Sequence, residues 1–259
     1  MAEQPAEVPD GGDDWETHWT EYADTAEDNP AQAYRRALVA RGLAGMGRLS
    51  RVVDIGSGQG DLLADLHRQH PSLELLGLEL SGSGIDVARA KVPSARFEQV
   101  DLLAGAPGAG LDGWADAGIC SEVLEHVDRP DVLLRNGATT VAPGGRVLIT
   151  VPGGPRTAFD RHIGHRRHYD RRALTEVIVA AGLEPELVAG SGLPFFNLYK
   201  LVVLARGERL IADVAASQPP SRLASAVMHV FRTVLRPGLC SSRHGWQLRA
   251  VARRPDGSA

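Results

Sequence analysis

The chain has 259 residues, a hydrophobic fraction of 43% and a formal net charge of -4. This suits one domain with a small subdomain and a sizeable core, and the charge argues against a general nucleic-acid binder. Two cysteines, Cys120 and Cys240, argue against a disulfide framework; the start Met1-Ala2-Glu3-Gln4 lacks the basic and apolar regions of a signal peptide, and no apolar run reaches the ~18 residues of a membrane span, so a cytoplasmic protein is expected.

Residues 1–13, rich in Pro, Gly and acids, read as a disordered acidic leader. Trp15, Trp19 and Tyr22 follow at helical spacing, and Asn29-Pro30 opens a second helix through Tyr34, Leu38 and Val39. Residues 14–46 are therefore expected to form an N-terminal helical region, either a lid or aromatic packing against a sheet. Strands are expected near 51–55, 74–79, 95–100, 115–120 and 145–151, and helices near 60–69, 83–91, 130–141 and 170–181. Asp170 is placed to cap the last of these helices and Gly182 to end it. Such alternation predicts an α/β fold, a mostly parallel sheet with helices on both faces and ligands at the carboxyl ends of the strands. Glu186–Ala189 supplies a sixth strand, and Trp246–Val251 a final one. The core is expected over 47–192 and 244–254. Between them, 193–243 is too long for a plain loop and carries apolar residues at helical spacing, interrupted by Pro219-Pro220. A substrate cap is the favoured reading, with a dimer contact and a membrane-surface element as alternatives. Basic residues dominate 200–254, whereas the first thirty residues carry no Lys or Arg.

The chemistry concentrates at one turn. Val52-Val53-Asp54-Ile55-Gly56-Ser57-Gly58-Gln59-Gly60 is a β-branched run ending in an acid and three glycines before a helix. Glycine permits the tight turn and lets a ligand approach the backbone. The spacing is G-x-G-x-G, not the G-x-G-x-x-G of a dinucleotide site, and no Gly-Lys-Ser/Thr of a P-loop follows. The acid would repel a pyrophosphate and favour an ammonium or sulfonium group.

This stretch resembles motif I of the class I S-adenosylmethionine-dependent methyltransferases. Four later elements match in order: Leu75–Leu80 ending in Glu79, Phe97–Leu102 containing Asp101, Ala117–His126, and Val141–Pro152 with its Pro143-Gly144-Gly145. Within that class the chain resembles the small-molecule, ubiquinone-type O-methyltransferases. The resemblance implies a doubly wound, Rossmann-like, seven-stranded sheet and S-adenosyl-L-methionine as cofactor. Gly56, Ser57, Gly58 and Gly60 would let its methionyl part approach the backbone, and Asp54 would support the turn and its ammonium. Glu79 would hold the ribose, Asp101 and Leu102 the adenine, and Leu80, Ser121, Tyr22 and Arg35 complete the implied cofactor set, the last two reaching the carboxylate.

A base to accept a proton from the methyl acceptor is sought among histidines. His126, in Glu122-x-x-Glu125-His126, and His165, in the run His162–Tyr169, are the candidates. The small-RNA 3′-terminal 2′-O-methyltransferases hold a divalent ion with a Glu-x-x-Glu-His and a later histidine. Glu122, Glu125, His126 and His165 match that pattern, but the ubiquinone-type enzymes share it without general metal use, so no metal is expected. Arg166 and Arg167 would attract a phosphate or carboxylate. The expected reaction is methyl transfer to an oxygen, or a nitrogen, of a small molecule, and the high Ala, Arg and Gly usage is associated with bacterial secondary metabolism. No nucleic-acid partner is expected, and a homo-oligomer and a peripheral membrane contact are open. The rivals are a lipid-linked or hydrophobic acceptor, a non-catalytic binding module and, last, a nicotinamide dehydrogenase.

Overall fold

The computed structural model describes residues 30–206 and 239–256. The leader, Trp15, Trp19, Tyr22 and residues 207–238 of the expected insertion lie outside the described residues.

Strands β1 (Arg51–Ile55), β2 (Glu74–Glu79), β3 (Arg96–Gln99), β4 (Ala115–Ser121), β5 (Val141–Pro152), β6 (Glu184–Ser191) and β7 (Gln247–Arg253) form one sheet in the order β3-β2-β1-β4-β5-β7-β6. Strands β1 to β5 pair in parallel, while β7 runs antiparallel between β5 and β6. This is the expected doubly wound, Rossmann-like α/β sheet. Strand order reverses between β1 and β4, which opens a crevice at their carboxyl ends.

Alternating side chains divide the core into two layers. Val52, Leu75, Phe97 and Ile119 face one side, with Val39 and Leu43 of α1 (Pro30–Ala44), Leu63 and Leu66 of α2 (Asp61–Gln69), and Ile85 and Ala88 of α3 (Gly82–Lys91). Val53, Leu76, Leu78 and Ile149 face the other, with Leu133 and Leu134 of α4 (Pro130–Ala138) and Leu174 and Ile178 of α6 (Arg171–Ala180). Covering both faces is why the parallel strands read as apolar runs rather than alternating ones. A smaller cluster joins Tyr34 and Leu38 of α1 to Phe196 of α7 (Phe195–Arg206), with the Tyr34 and Phe196 rings stacked at 4.8 Å.

Several boundaries differ from the expected ones, each for a local reason. Helix α4 stops at Ala138, three residues early, because the Thr139 and Thr140 hydroxyls donate back to Asn136 O and Gly137 O at 2.7 and 2.6 Å. Strand β5 begins at Val141 rather than 145, pairing Val141 with Ala115 across a register shift that absorbs the Pro-Gly-Gly. A short helix not expected, α5 (Ala158–His162), is closed by a capping box between Thr157 and Asp160. Asp170 caps α6 through Ala173 N at 2.8 Å, and Gly182, at φ 80°, follows that helix.

Candidate cofactor cleft and active site

The glycine turn leaves β1 for α2 at the centre of the crevice. Gly56, Gly58 and Gly60 all have positive φ, of 77°, 53° and 76°. A Cβ at Gly56 would approach Val123 Cγ2 to 2.6 Å, and one at Gly60 would approach Ala88 Cβ to 2.9 Å, so side chains are excluded by space as well as by φ. Gly56 N and Ser57 N donate to Leu78 O, which ties the turn to β2. The Ser57 hydroxyl is buried without a hydrogen-bond partner among the described residues; a side chain at Gly77 would meet it at 2.6 Å.

Two carboxyl groups flank the turn. Glu79 is buried, and its oxygens accept from Gly58 N at 2.8 Å and Ser81 N at 3.0 Å. Asp54 is 3% exposed, and burial, reinforced by Glu79, pushes its pKa up to about 8. Two adjoining buried acids favour a ligand that brings positive charge or donors. Leu80, next to Glu79, and Leu103, beyond the end of β3, expose 48% and 43% of their surface. Asp101 is exposed, and its Oδ1 closes a local turn by accepting from Leu103 N and Ala104 N at 2.8 and 3.3 Å. Leu102 is buried in the core.

Across the crevice, at the ends of β4 and β5, titratable side chains converge. Ser121 Oγ and Thr150 Oγ1 share a hydrogen bond of 2.8 Å. Glu122 has φ 58°, the left-handed region that a side chain seldom adopts. It accepts from Thr150 Oγ1 at 3.0 Å and Gln247 Nε2 at 2.7 Å, and pairs with Arg35 Nε at 2.9 Å. Glu125 is fully buried, and neither carboxyl oxygen has a hydrogen-bond partner among the described residues. Burial, then Glu122, drives its pKa well up, which favours the neutral acid.

His165 lies between acids, with Nε2 3.9 Å from Glu125 Oε1 and Nδ1 3.8 Å from Asp160 Oδ1. The His126 ring meets it edge-on at 4.7 Å, and His168 Nε2 lies 3.3 Å from His165 Nδ1. Burial and His126 push the His165 pKa down to about 2, against the pull of Asp160, so its imidazole is neutral at physiological pH. Asp160 is held by Lys200 Nζ, 3.1 Å from each of its oxygens, and by Thr157 N at 2.8 Å. Burial raises its pKa, but Lys200, Thr157 and the two histidines outweigh it and hold the value near 2. For Lys200 burial wins over Asp160, and its pKa falls.

Two overlapping groups could hold a cation: Glu125, His126 and His165, and Asp160, His165 and His168. Within each, the ligand atoms lie within 4.8 Å of one another. Glu122, the fourth residue of the divalent-ion pattern, is engaged by Arg35 and Gln247, and the Lys200 ammonium already serves Asp160. Arg166 and Arg167, expected to attract anions, lie beside Asp128; Arg166 is hydrogen-bonded to it.

The structure thus gathers Asp54, the glycines, Glu79 and Leu80 on one side and Ser121, Arg35, His126 and His165 on the other. Tyr22 lies outside the described residues. Sequence reasoning missed Asp160, Lys200, Gln247 and Leu103. The Thr-x-x-Asp at 157–160 and a lone lysine within an apolar run were legible signals for the first two. Gln247 carried none.

The family described as a methyltransferase domain matches residues 27–188, more than half of the chain. This chain belongs to that family. Two curated relatives are a trans-aconitate 2-methyltransferase from Methylobacterium nodulans, 28% identical over 61% of this chain and 57% of the relative, and a ubiquinone biosynthesis O-methyltransferase from Albidiferax ferrireducens, 32% identical over 39% and 40%. The chain thus spans about half the length of these relatives. Among solved structures, a chain from the complex of the Haloferax volcanii Trm112 methyltransferase activator with a methyltransferase superposes with a TM-score of 0.61 at 18% identity, covering 95% of this chain and 99% of that one. That likeness places this methyltransferase-domain protein in the fold. No helix among the described residues is long and apolar enough to cross a membrane.

Proposed function

We propose that this protein is an S-adenosylmethionine-dependent methyltransferase acting on an oxygen, or a nitrogen, of a small molecule, in bacterial secondary metabolism. The observation that carries the reading is the pair of buried acids, Asp54 and Glu79, on either side of a three-glycine turn at the reversal of strand order. The residues fit the cofactor chemically. Asp54 answers an ammonium, Glu79 retains acceptor capacity for ribose hydroxyls, and Leu80 and Leu103 bracket a place for adenine, with Asp101 and the Leu102 backbone beside it. Arg35 answers the carboxylate, and Ser121 lines the same end.

When bound, S-adenosylmethionine supplies a methyl group already activated on a sulfonium. The chain's own residues then bind, orient and deprotonate the acceptor. Positioning carries much of the rate in such a displacement. His126 and His165 are the candidate bases. Neutral His165 offers a lone pair, and the Asp160 carboxylate, 3.8 Å from its Nδ1, favours the imidazolium that forms when it takes up a proton.

Calorimetric titration with S-adenosylmethionine, S-adenosylhomocysteine and NADH, each with and without EDTA, tests the reading. Binding of the two adenosyl ligands alone, at any metal level, supports it. Folded protein that binds neither would overturn it. A hydrophobic or lipid-linked acceptor is a second reading, favoured by Leu198, Leu201, Val202 and Leu204 exposed along α7. Co-sedimentation with anionic vesicles separates the two.

A further inference from the structure

Arg35 is restrained more tightly than a surface arginine. Only 12% of its side chain is exposed; its Nε donates a hydrogen bond to Gln247 Oε1 at 3.2 Å and forms an ion pair with Glu122 Oε2 at 2.9 Å. Gln247, the first residue of β7, is fully buried. Its amide works in both directions. The oxygen accepts from Arg35, and the nitrogen donates to Glu122 Oε1 at 2.7 Å and to Val151 O at 3.0 Å. Arg35, Glu122 and Gln247 therefore close a ring from three elements far apart in sequence: α1, the end of β4 and the start of β7. Thr150 adds a further donor to Glu122.

The ring uses only one edge of the guanidinium. Arginine carries five donors in a planar fork, and the Nη donors of Arg35 make no hydrogen bond among the described residues. A fork held at Nε, with its charge balanced by Glu122, presents a parallel pair of N–H groups in a fixed direction, the arrangement that receives a carboxylate in two-point fashion. Glu122 occupies the left-handed region to take part. Strain of this kind persists where the surroundings over-determine it and is concentrated at ligand clamps.

We propose that Gln247 and Glu122 are positioning residues that clamp Arg35, so that its Nη edge receives the carboxylate at the amino-acid end of the cofactor. The inference rests on the S-adenosylmethionine reading above. Gln247 suits the place because it both accepts from Arg35 and donates to Glu122. Glutamate would set two carboxylates together, and methionine would release both partners.

The test compares two ligands that differ only beyond the thioether sulfur. S-adenosylhomocysteine has the amino-acid end, and 5′-deoxy-5′-methylthioadenosine lacks it. Both are titrated calorimetrically into the full chain, its Gln247→Met variant and its Glu122→Gln variant. Gln247→Met should weaken S-adenosylhomocysteine about tenfold and methylthioadenosine by less than about twofold, since a charge-assisted pair is loosened for one ligand alone. Glu122→Gln keeps the side chain's size and a carbonyl acceptor, so it carries the test if Gln247→Met does not fold, and should show the same selectivity. Equal weakening of both ligands, or none, overturns the clamp while leaving the cofactor reading in place. Wild-type protein that binds neither ligand overturns the cofactor reading and the clamp with it.

Discussion

The two halves of the crevice are built differently. On the β1–β2–β3 side the groups sit close in sequence: three glycines within five residues, Asp54 just before them, and Glu79 held by Gly58 N and Ser81 N. On the β4–β5 side the groups are side chains brought from afar. Lys200 meets Asp160 across 40 residues, and Gln247 meets Glu122 across 125. A half made of backbone geometry suits a ligand that does not change. A half made of interchangeable side chains suits one that differs between relatives.

The largest expected effect lies in the second half. Lys200→Met leaves Asp160 buried without its cation and should cost about 3–5 kcal/mol in denaturant unfolding. Adding Asp160→Asn should recover part of the loss; a double variant as unstable as the sum of the two singles would show that the pair is not coupled. In the first half, Glu79→Ala should weaken S-adenosylhomocysteine about 100-fold, two charge-assisted bonds being lost. Unchanged calorimetric affinity would remove Glu79 from the ribose. Across the crevice, His165→Ala should lower turnover about 100-fold with little change in cofactor affinity. Full turnover in that variant would leave His126 as the remaining candidate base.

A pH dependence separates the halves in another way. Asp54 goes from 3.8 in the unfolded chain to about 8 when folded. An acid whose pKa rises on folding is neutral in the native state and ionised in the unfolded one. Its contribution is therefore most favourable below 3.8 and declines progressively as pH climbs towards about 8. Asp54→Asn should flatten that part of the stability profile. If Asp54 meets the cofactor ammonium as a carboxylate, binding at pH 7 should release a proton, read as a buffer-dependent heat that the same variant lacks.

The cleft's architecture was legible where the signal is local. Strands β1 and β2 fall where the apolar runs place them, because burial on both faces leaves no competing pattern, and the Gly56–Gly60 turn follows from residue type alone. Strand β5 was misjudged at its start because Pro143-Gly144-Gly145 reads as a break, whereas β4 accommodates it with a register shift. The His126 and His165 regions were visible as motifs, but their partners were not. Asp160 announces a helix cap in sequence, and only the fold brings Lys200 to it. Gln247 begins a strand with nothing to mark it, and the two hydrogen bonds its amide donates exist only once β7 lies against β5.

The position of β7 has a consequence for biosynthesis. It leaves the ribosome after the other six strands of the described sheet yet belongs between β5 and β6. Until it arrives, β5 has an open edge and β6 has no partner in the sheet, an invitation to pair with other chains. Its arrival closes the sheet and delivers Gln247 in the same movement. A nascent chain stalled before residue 247 would thus be sticky, and the cell would meet an incomplete copy first of all as an aggregation hazard.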